Sequence, residues 1–248
     1  MNKLLKIKKK KNKYLRQFKM FGNKSQEDSF EFLSHIFDSL KDNIINNTSI
    51  TNLIDSFKFQ ETSVFTCSET NKIVESDTKY DGFYLTLEIK HDSVTKNLQE
   101  YLKVEDLSTD ISNKLNSCNT SNNLLLNKKL KFIFNEKIKN LIVIIKRFSH
   151  EGNGGNGNKT RSIVTPEPIL NFNTIDTINP YNIIFKLQGC IIHLGDTLRS
   201  GHYIYLVFDK DGNPNKIIND SINNQTPDNS YLTDGYIYYY RRETSITL

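Results

Sequence analysis

One imidazole in this chain stands where proton transfer would be useful. His202 lies in Ser200-Gly201-His202-Tyr203, at the mouth of an apolar run that ends at Phe208. A turn-rich stretch follows, Asp209-Lys210-Asp211-Gly212-Asn213-Pro214-Asn215, and the chain returns through Ile217 and Ile218 to Asn219 and Asp220. Two β-rich runs joined by Asp-Gly and Asn-Pro predict an antiparallel hairpin. Such a hairpin brings His202 near Asn219 or Asp220. An imidazole held by an amide or a carboxylate supplies two members of a Cys-His-Asn/Asp site. The imidazole in such a site takes the thiol proton and returns it to the leaving group.

The nucleophile is the missing member. The chain has three cysteines, Cys67, Cys118 and Cys190. A catalytic thiolate needs a lowered pKa, typically at a helix N-terminus beside a histidine. Cys190 lies inside an apolar strand-like run, where a buried neutral thiol is expected. Cys67 and Cys118 lie in polar turns. None of them has the required setting. So sparse and odd-numbered a set is no disulfide framework, and it points to a reducing intracellular location, cytoplasm or nucleus. The remaining histidines, His35, His91, His150 and His193, read as ordinary ones.

The elements that must position these residues are legible in the hydrophobic pattern. Ser25 to Leu40 predicts a helix, with Ser25 as its cap and Asp28 completing a capping-box-like start. Phe30, Leu33, Phe37 and Leu40 recur at helical spacing, and Asp28 and Glu31 share another face. Asn43 to Thr51 reads as loop and Ile54 to Cys67 as β-structure. Asp81 to Ile89 alternates as one strand, and Val94 to Asp106 reads as a helix. Leu141-Ile142-Val143-Ile144-Ile145 predicts a strand buried on both faces. Gly152 to Asn158 is a low-complexity loop. Strand signals resume near Ile163, from Tyr181 to Ile192, from Tyr203 to Phe208, and from Gly235 to Tyr240. Helices early and strands late argue an α+β fold with a largely antiparallel sheet.

Composition bounds the rest. The 248 residues suit one domain, or one domain with an inserted lobe, at 37% hydrophobic and 25% charged content. The apolar runs, such as Leu141 to Ile145, are far too short to cross a bilayer, so no membrane partner is expected. The net charge of +5 is concentrated at the start, in Lys6, Lys8 to Lys11 and Lys13. This basic segment, residues 1–22, reads as a solvated end. A nucleic-acid contact is the weaker reading, because no aromatic-basic interleaving follows.

Taken together, these segments resemble the ubiquitin-specific proteases, the papain-like deubiquitinases. Gln26-Glu27-Asp28-Ser29-Phe30-Glu31-Phe32-Leu33 is similar to that family's Gln-Gln-Asp-Ala-x-Glu-Phe-Leu helix. Leu141 to Phe148 resembles its Leu-Lys-Arg-Phe strand. Lys159 to Phe172 is similar to the Lys…Val…Pro…Leu segment that follows. His193-Leu194-Gly195 with Ser200-Gly201-His202-Tyr203 resembles its histidine box, and Tyr236 to Arg242 its closing strand. The resemblance implies a papain-like thumb-palm-fingers architecture over residues 23–242, with fingers at about 57–135 inserted and a tail at 243–248. It implies His202 as general base, Asn219 as the residue orienting it and Asp220 as the alternative orienter. Asp28, Glu31 and Tyr203 become substrate-binding positions, and ubiquitin or a ubiquitinated protein becomes the partner.

Two features depart from the family. The Asn-Thr-Cys nucleophile box is absent, so the first thumb segment is expected to be missing. Activity would then require an upstream segment or a second chain. The domain is expected to be inactive alone, with a non-catalytic ubiquitin binder as the alternative. The fingers' paired Cys-x-x-Cys zinc ligands are also halved: Thr70 follows Cys67, and Ser121 follows Cys118. Two thiolates do not complete a structural zinc site. No metal or cofactor is expected, and the fingers are expected to hold by packing of Val64, Phe65, Phe83 and Leu85.

Overall fold

The computed structural model describes residues 27–42, 47–67, 73–107, 126–148, 158–175, 183–197, 200–220, 227 and 229–243. Helix α1 (Ser29–Lys41) begins where Asp28, in extended backbone, accepts the Phe30 N–H at 2.6 Å. Asp28 is therefore the N-cap itself, in place of the expected Ser25, which lies outside the described residues. The helix turns Phe37 inward, stacked on Phe83 at 5.3 Å and edge-on to Phe57 at 5.4 Å. Phe30, Leu33 and Leu40 pack on the same cluster. The segment read as loop before Ile54 is instead helix α2 (Thr48–Asp55), capped by Asn47 onto the Ile50 N–H. Its polar sequence hid it, since only Ile54 is fully buried.

The strands, numbered in chain order, form two sheets. A four-stranded sheet has the order β2-β1-β5-β4, from β1 (Phe59–Cys67), β2 (Ile73–Gly82), β4 (Glu105–Leu107) and β5 (Leu126–Phe134). A seven-stranded sheet has the order β10-β9-β8-β11-β6-β3. It comprises β3 (Leu85–Leu87), β6 (Asn140–Ile145), β8 (Ile184–Thr197), β9 (Ser200–Phe208), β10 (Pro214–Ile218) and β11 (Gly235–Arg242), with β7 (Ile169–Asn171) also pairing β8. Every described pairing between strands is antiparallel except β3 with β6.

Strand β6 is the hinge of the core, as its unbroken β-branched run predicts. Leu141, Val143 and Ile145 face one cluster, with Leu98, Phe185 and Tyr238. Ile142 and Ile144 face the other, with Phe37 and Ile237. Period-two alternation thus feeds two apolar layers from one strand. Each of these side chains contributes roughly 1.5–3 kcal/mol by leaving water.

Three expectations are corrected here. The run Asp81 to Ile89 is not one strand, because β2 ends at Gly82 in the smaller sheet and β3 lies in the larger. Alternation continues across the break and conceals it. Gly82 permits it: a β-carbon there would stand 2.5 Å from the Phe59 ring. The helix starting at Val94 is α3 (Val94–Tyr101), and the chain then adopts β4, where Glu105 pairs with Lys128. Backbone pairing with β5 outweighs helical propensity beyond Leu102, and Val104 is exposed. Of the residues expected to hold the smaller sheet, Leu85 shares the cluster of Phe59, Phe132 and Phe134, whereas Phe83 packs in the other cluster with Phe37. The base of that sheet is fixed by Phe59, Phe132 and Phe134, with Phe134 4.8 Å from Phe172 in helix α4 (Phe172–Ile175) and Phe132 stacked on Tyr101.

The Cys67 side chain, Thr70, Cys118 and Ser121 lie outside the described residues. Among the described residues no group of three His, Cys, Asp or Glu side chains is placed to hold a metal ion. None of their helices is long and apolar enough to cross a membrane.

Candidate functional site

The β9–β10 hairpin builds the site. Its turn is fixed by Asp209, whose Oδ1 accepts the N–H groups of Asp211 and Asn213 at 2.9 Å each. Gly212 there takes a φ of +82°, which favours glycine. The strands pair Tyr205 with Ile218 and Leu206 with Ile217. That register carries His202 and Asn219 to the same end of the hairpin, and His202 Nε2 meets Asn219 Oδ1 at 2.5 Å.

The geometry fixes the proton. Asn219 Oδ1 also accepts the Asp220 backbone N–H at 2.7 Å. A backbone N–H is an obligate donor, so that atom must be the amide oxygen rather than nitrogen. His202 therefore donates through Nε2–H, and in the neutral ring Nδ1 carries the lone pair. Asp220 places Oδ2 4.0 Å from Nδ1, beyond hydrogen-bond length, and its side chain is 92% exposed. The amide touches the ring, and the carboxylate stands off.

A groove of about 520 Å³ runs from Asn219 to the start of α1, and His202 is not among its lining residues. Glu27, Asp28, Ser29 and Phe32 line one wall; Ile191, Tyr203, Tyr205, Ile218, Asn219 and Asp220 line the other. Asp28 is less available than its sequence position implies. Besides capping α1, its carboxylate accepts the Tyr236 hydroxyl, at 3.0 Å to Oδ1 and 2.9 Å to Oδ2. Burial and the adjacent carboxylate push the Tyr236 pKa up, so the hydroxyl remains a donor. Glu31 is exposed on the first turn, outside the groove lining. Tyr203 lines the groove, and its hydroxyl accepts the Ser29 N–H at 3.4 Å. Glu27 is a lining carboxylate that sequence reasoning passed over, although it is adjacent to Asp28.

A buried polar cluster gathers around Arg147 and Lys159. Arg147, with no exposed surface, donates to the carbonyls of Gly235 (2.7 Å), Thr233 (2.7 Å), Ser162 (2.8 Å) and Thr160 (3.3 Å). Lys159 Nζ donates to the His193 carbonyl and to Asp234 Oδ2, both at 2.6 Å. Arg147 and Lys159 were visible in sequence only as motif letters. Their acceptors come from segments remote along the chain, which no local pattern reveals.

Cys190 is fully buried in β8, paired with Leu206. His202 pairs with Leu194, four residues further along, so the two lie about 13 Å apart in the strand direction. Burial pushes the Cys190 thiol pKa up, partly opposed by Arg147, and keeps it protonated. It is neither placed nor poised to attack.

The family model described as ubiquitin carboxyl-terminal hydrolase matches residues 2–240. Ubiquitin carboxyl-terminal hydrolase 26 of Arabidopsis thaliana is 24% identical over 195 residues, covering 76% of this chain and 18% of that protein. The SAGA DUB module Ubp8/Sgf11/Sus1/Sgf73 bound to monoubiquitin contains a similar fold, with TM-score 0.72, 20% identity, and coverage of 93% of this chain and 51% of that one. The same module bound to ubiquitin aldehyde gives TM-score 0.70 and 22% identity, covering 89% of this chain and 50% of the other. The chain thus spans about half of those solved chains and less than a fifth of the plant relative. The sequence match over nearly the whole chain and the likeness of the α+β fold agree, and the chain belongs to the ubiquitin carboxyl-terminal hydrolase family.

Proposed function

We propose that residues 23–242, with fingers at about 57–135, form a ubiquitin-binding domain that carries the base half of a thiol-dependent isopeptidase site and does not cleave conjugates alone. The observation that supports this is the His202–Asn219 contact, which leaves Nδ1 as the basic nitrogen of a dyad whose Asn219 lines the groove. Nδ1 takes a thiol proton and returns it to the leaving amine, while Nε2–H stays held by a neutral amide as the imidazolium forms. The ubiquitin tail ends in arginines and glycines, and carboxylates at Glu27, Asp28 and Glu31 suit arginine through charge-assisted hydrogen bonds. The nucleophile must come from a segment or chain that carries a cysteine to Nδ1. A reducing intracellular compartment, cytoplasm or nucleus, is the setting this reading implies.

The test is a ubiquitin probe with a C-terminal electrophile. The intact mass of the chain is expected to stay unchanged, while ubiquitin added in titration binds weakly. Supplying a nucleophile helix, fused or in trans, is expected to create activity that His202→Ala abolishes and Asn219→Ala weakens. A stable adduct on Cys67, Cys118 or Cys190 would overturn the reading. Binding with no activity under any complementation would favour the non-catalytic ubiquitin binder instead.

A further inference from the structure

We infer that His193 is a positioning residue for His202: its buried imidazole is the shelf on which the Gly201 backbone rests, and that shelf sets how the His202 ring meets Asn219. The inference rests on the reading of His202 as the proton acceptor.

His193 has no exposed surface, and neither ring nitrogen makes a hydrogen bond of normal geometry among the described residues, the Gly195 backbone standing nearby. Burying unpaired polar atoms is costly, so the ring needs an explanation beyond filling space. It is wedged between Phe148, edge-on at 5.3 Å, and Tyr203 at 4.8 Å. Over it pass two glycines in conformations that side chains rarely adopt, Gly195 (φ +155°) and Gly201 (φ +148°). A β-carbon on Gly201 would stand 2.6 Å from His193 Nε2 and 2.4 Å from the Leu194 carbonyl oxygen. On Gly195 it would stand 2.9 Å from His193 Cε1. The bare backbone thus lies directly against the imidazole, one residue before His202.

The shelf itself is anchored. Lys159 holds the His193 carbonyl and is itself held by Asp234. The pairings of His193 with Tyr203 and Leu194 with His202 transmit the position of β8 to β9. The charged and titratable groups that face the ring are Lys159, which disfavours its protonation, and Asp28 and Asp234, which favour it; the Tyr203 ring lies against it. Burial outweighs these and keeps the ring neutral.

The test reads the His202 Nε2–H proton directly, in protein labelled with ¹⁵N-histidine. His193→Ala removes the shelf, and Gly201→Ala pushes off it. In both, exchange of the His202 ring proton with water is expected to accelerate by about tenfold or more, as loss of one hydrogen bond implies. Backbone amides of Ile144, Cys190 and Tyr238 are expected to keep their protection. If the ring proton and the core amides accelerate together, or the ring proton does not change, His193 is only structural and the inference falls. The readout needs no cysteine, so failure here leaves the ubiquitin-probe experiment to decide the catalytic reading separately.

Discussion

Replacing Asp28 tests whether this carboxylate is a ligand for substrate or a part of the fold. It caps α1 through the Phe30 N–H and accepts the Tyr236 hydroxyl with both oxygens. Loss of an N-cap side chain costs about 1 kcal/mol. Loss of a hydrogen bond to a charged group costs about 2 kcal/mol, and here it strands a hydroxyl on a residue only 4% exposed. Asp28→Ala is therefore expected to destabilise the chain by about 3 kcal/mol, and Tyr236→Phe by about 2 kcal/mol. Because they share one interaction, the double variant is expected to lose about 3 kcal/mol, a coupling near 2 kcal/mol. Asp28→Asn retains the cap and is expected to lose less than Asp28→Ala. Urea unfolding of the parent and the four variants measures all of this, provided the m-values agree. If the two single losses simply add, Asp28 and Tyr236 do not interact, and the wall of the groove is built differently. The same numbers govern binding experiments: weakened ubiquitin affinity in Asp28→Ala means a lost contact only if Asp28→Asn, which stays folded, shows it too.

Three further outcomes follow from buried groups. Arg147→Met strips donors from the carbonyls of Gly235, Thr233, Ser162 and Thr160 and is expected to cost roughly 3–5 kcal/mol in denaturant unfolding; a loss under about 1 kcal/mol would mean those carbonyls find other donors. Cys190 is expected to resist iodoacetamide at pH 7 in the native state and to react only on unfolding, so fast native alkylation mapped to it would contradict its burial. His193 has a native pKa below its unfolded value of about 6.5, so the unfolded state binds the extra proton first. Stability is then expected to fall as pH drops below about 6.5 and to be insensitive to this group above it. His193→Phe should flatten that acid limb, and an unchanged limb would assign it to other groups.

What the sequence determined by itself was whatever is encoded locally. The run from Leu141 to Ile145 fixed a doubly buried strand, because it is too short for a stable buried helix and rich in β-branched residues. The turn residues after Phe208 fixed a hairpin, and the hairpin brought His202 within reach of Asn219 or Asp220. The choice of contact between these two was not local. It depends on the register of β9 against β10, which puts the Asn219 oxygen on the ring and leaves Asp220 standing off. The same holds wherever partners come from distant segments. Asp28 reads as part of a helix start and as a substrate-facing carboxylate until Tyr236, 208 residues away, is seen to donate to it. The alternation from Asp81 to Ile89 cannot reveal that its halves join different sheets, because period two is the same in both. His193 reads as an ordinary strand histidine until tertiary packing lays Gly195 and Gly201 across its ring. Periodicity and turn chemistry are properties of neighbours in the chain, whereas hydrogen-bond partnership and burial belong to neighbours in space.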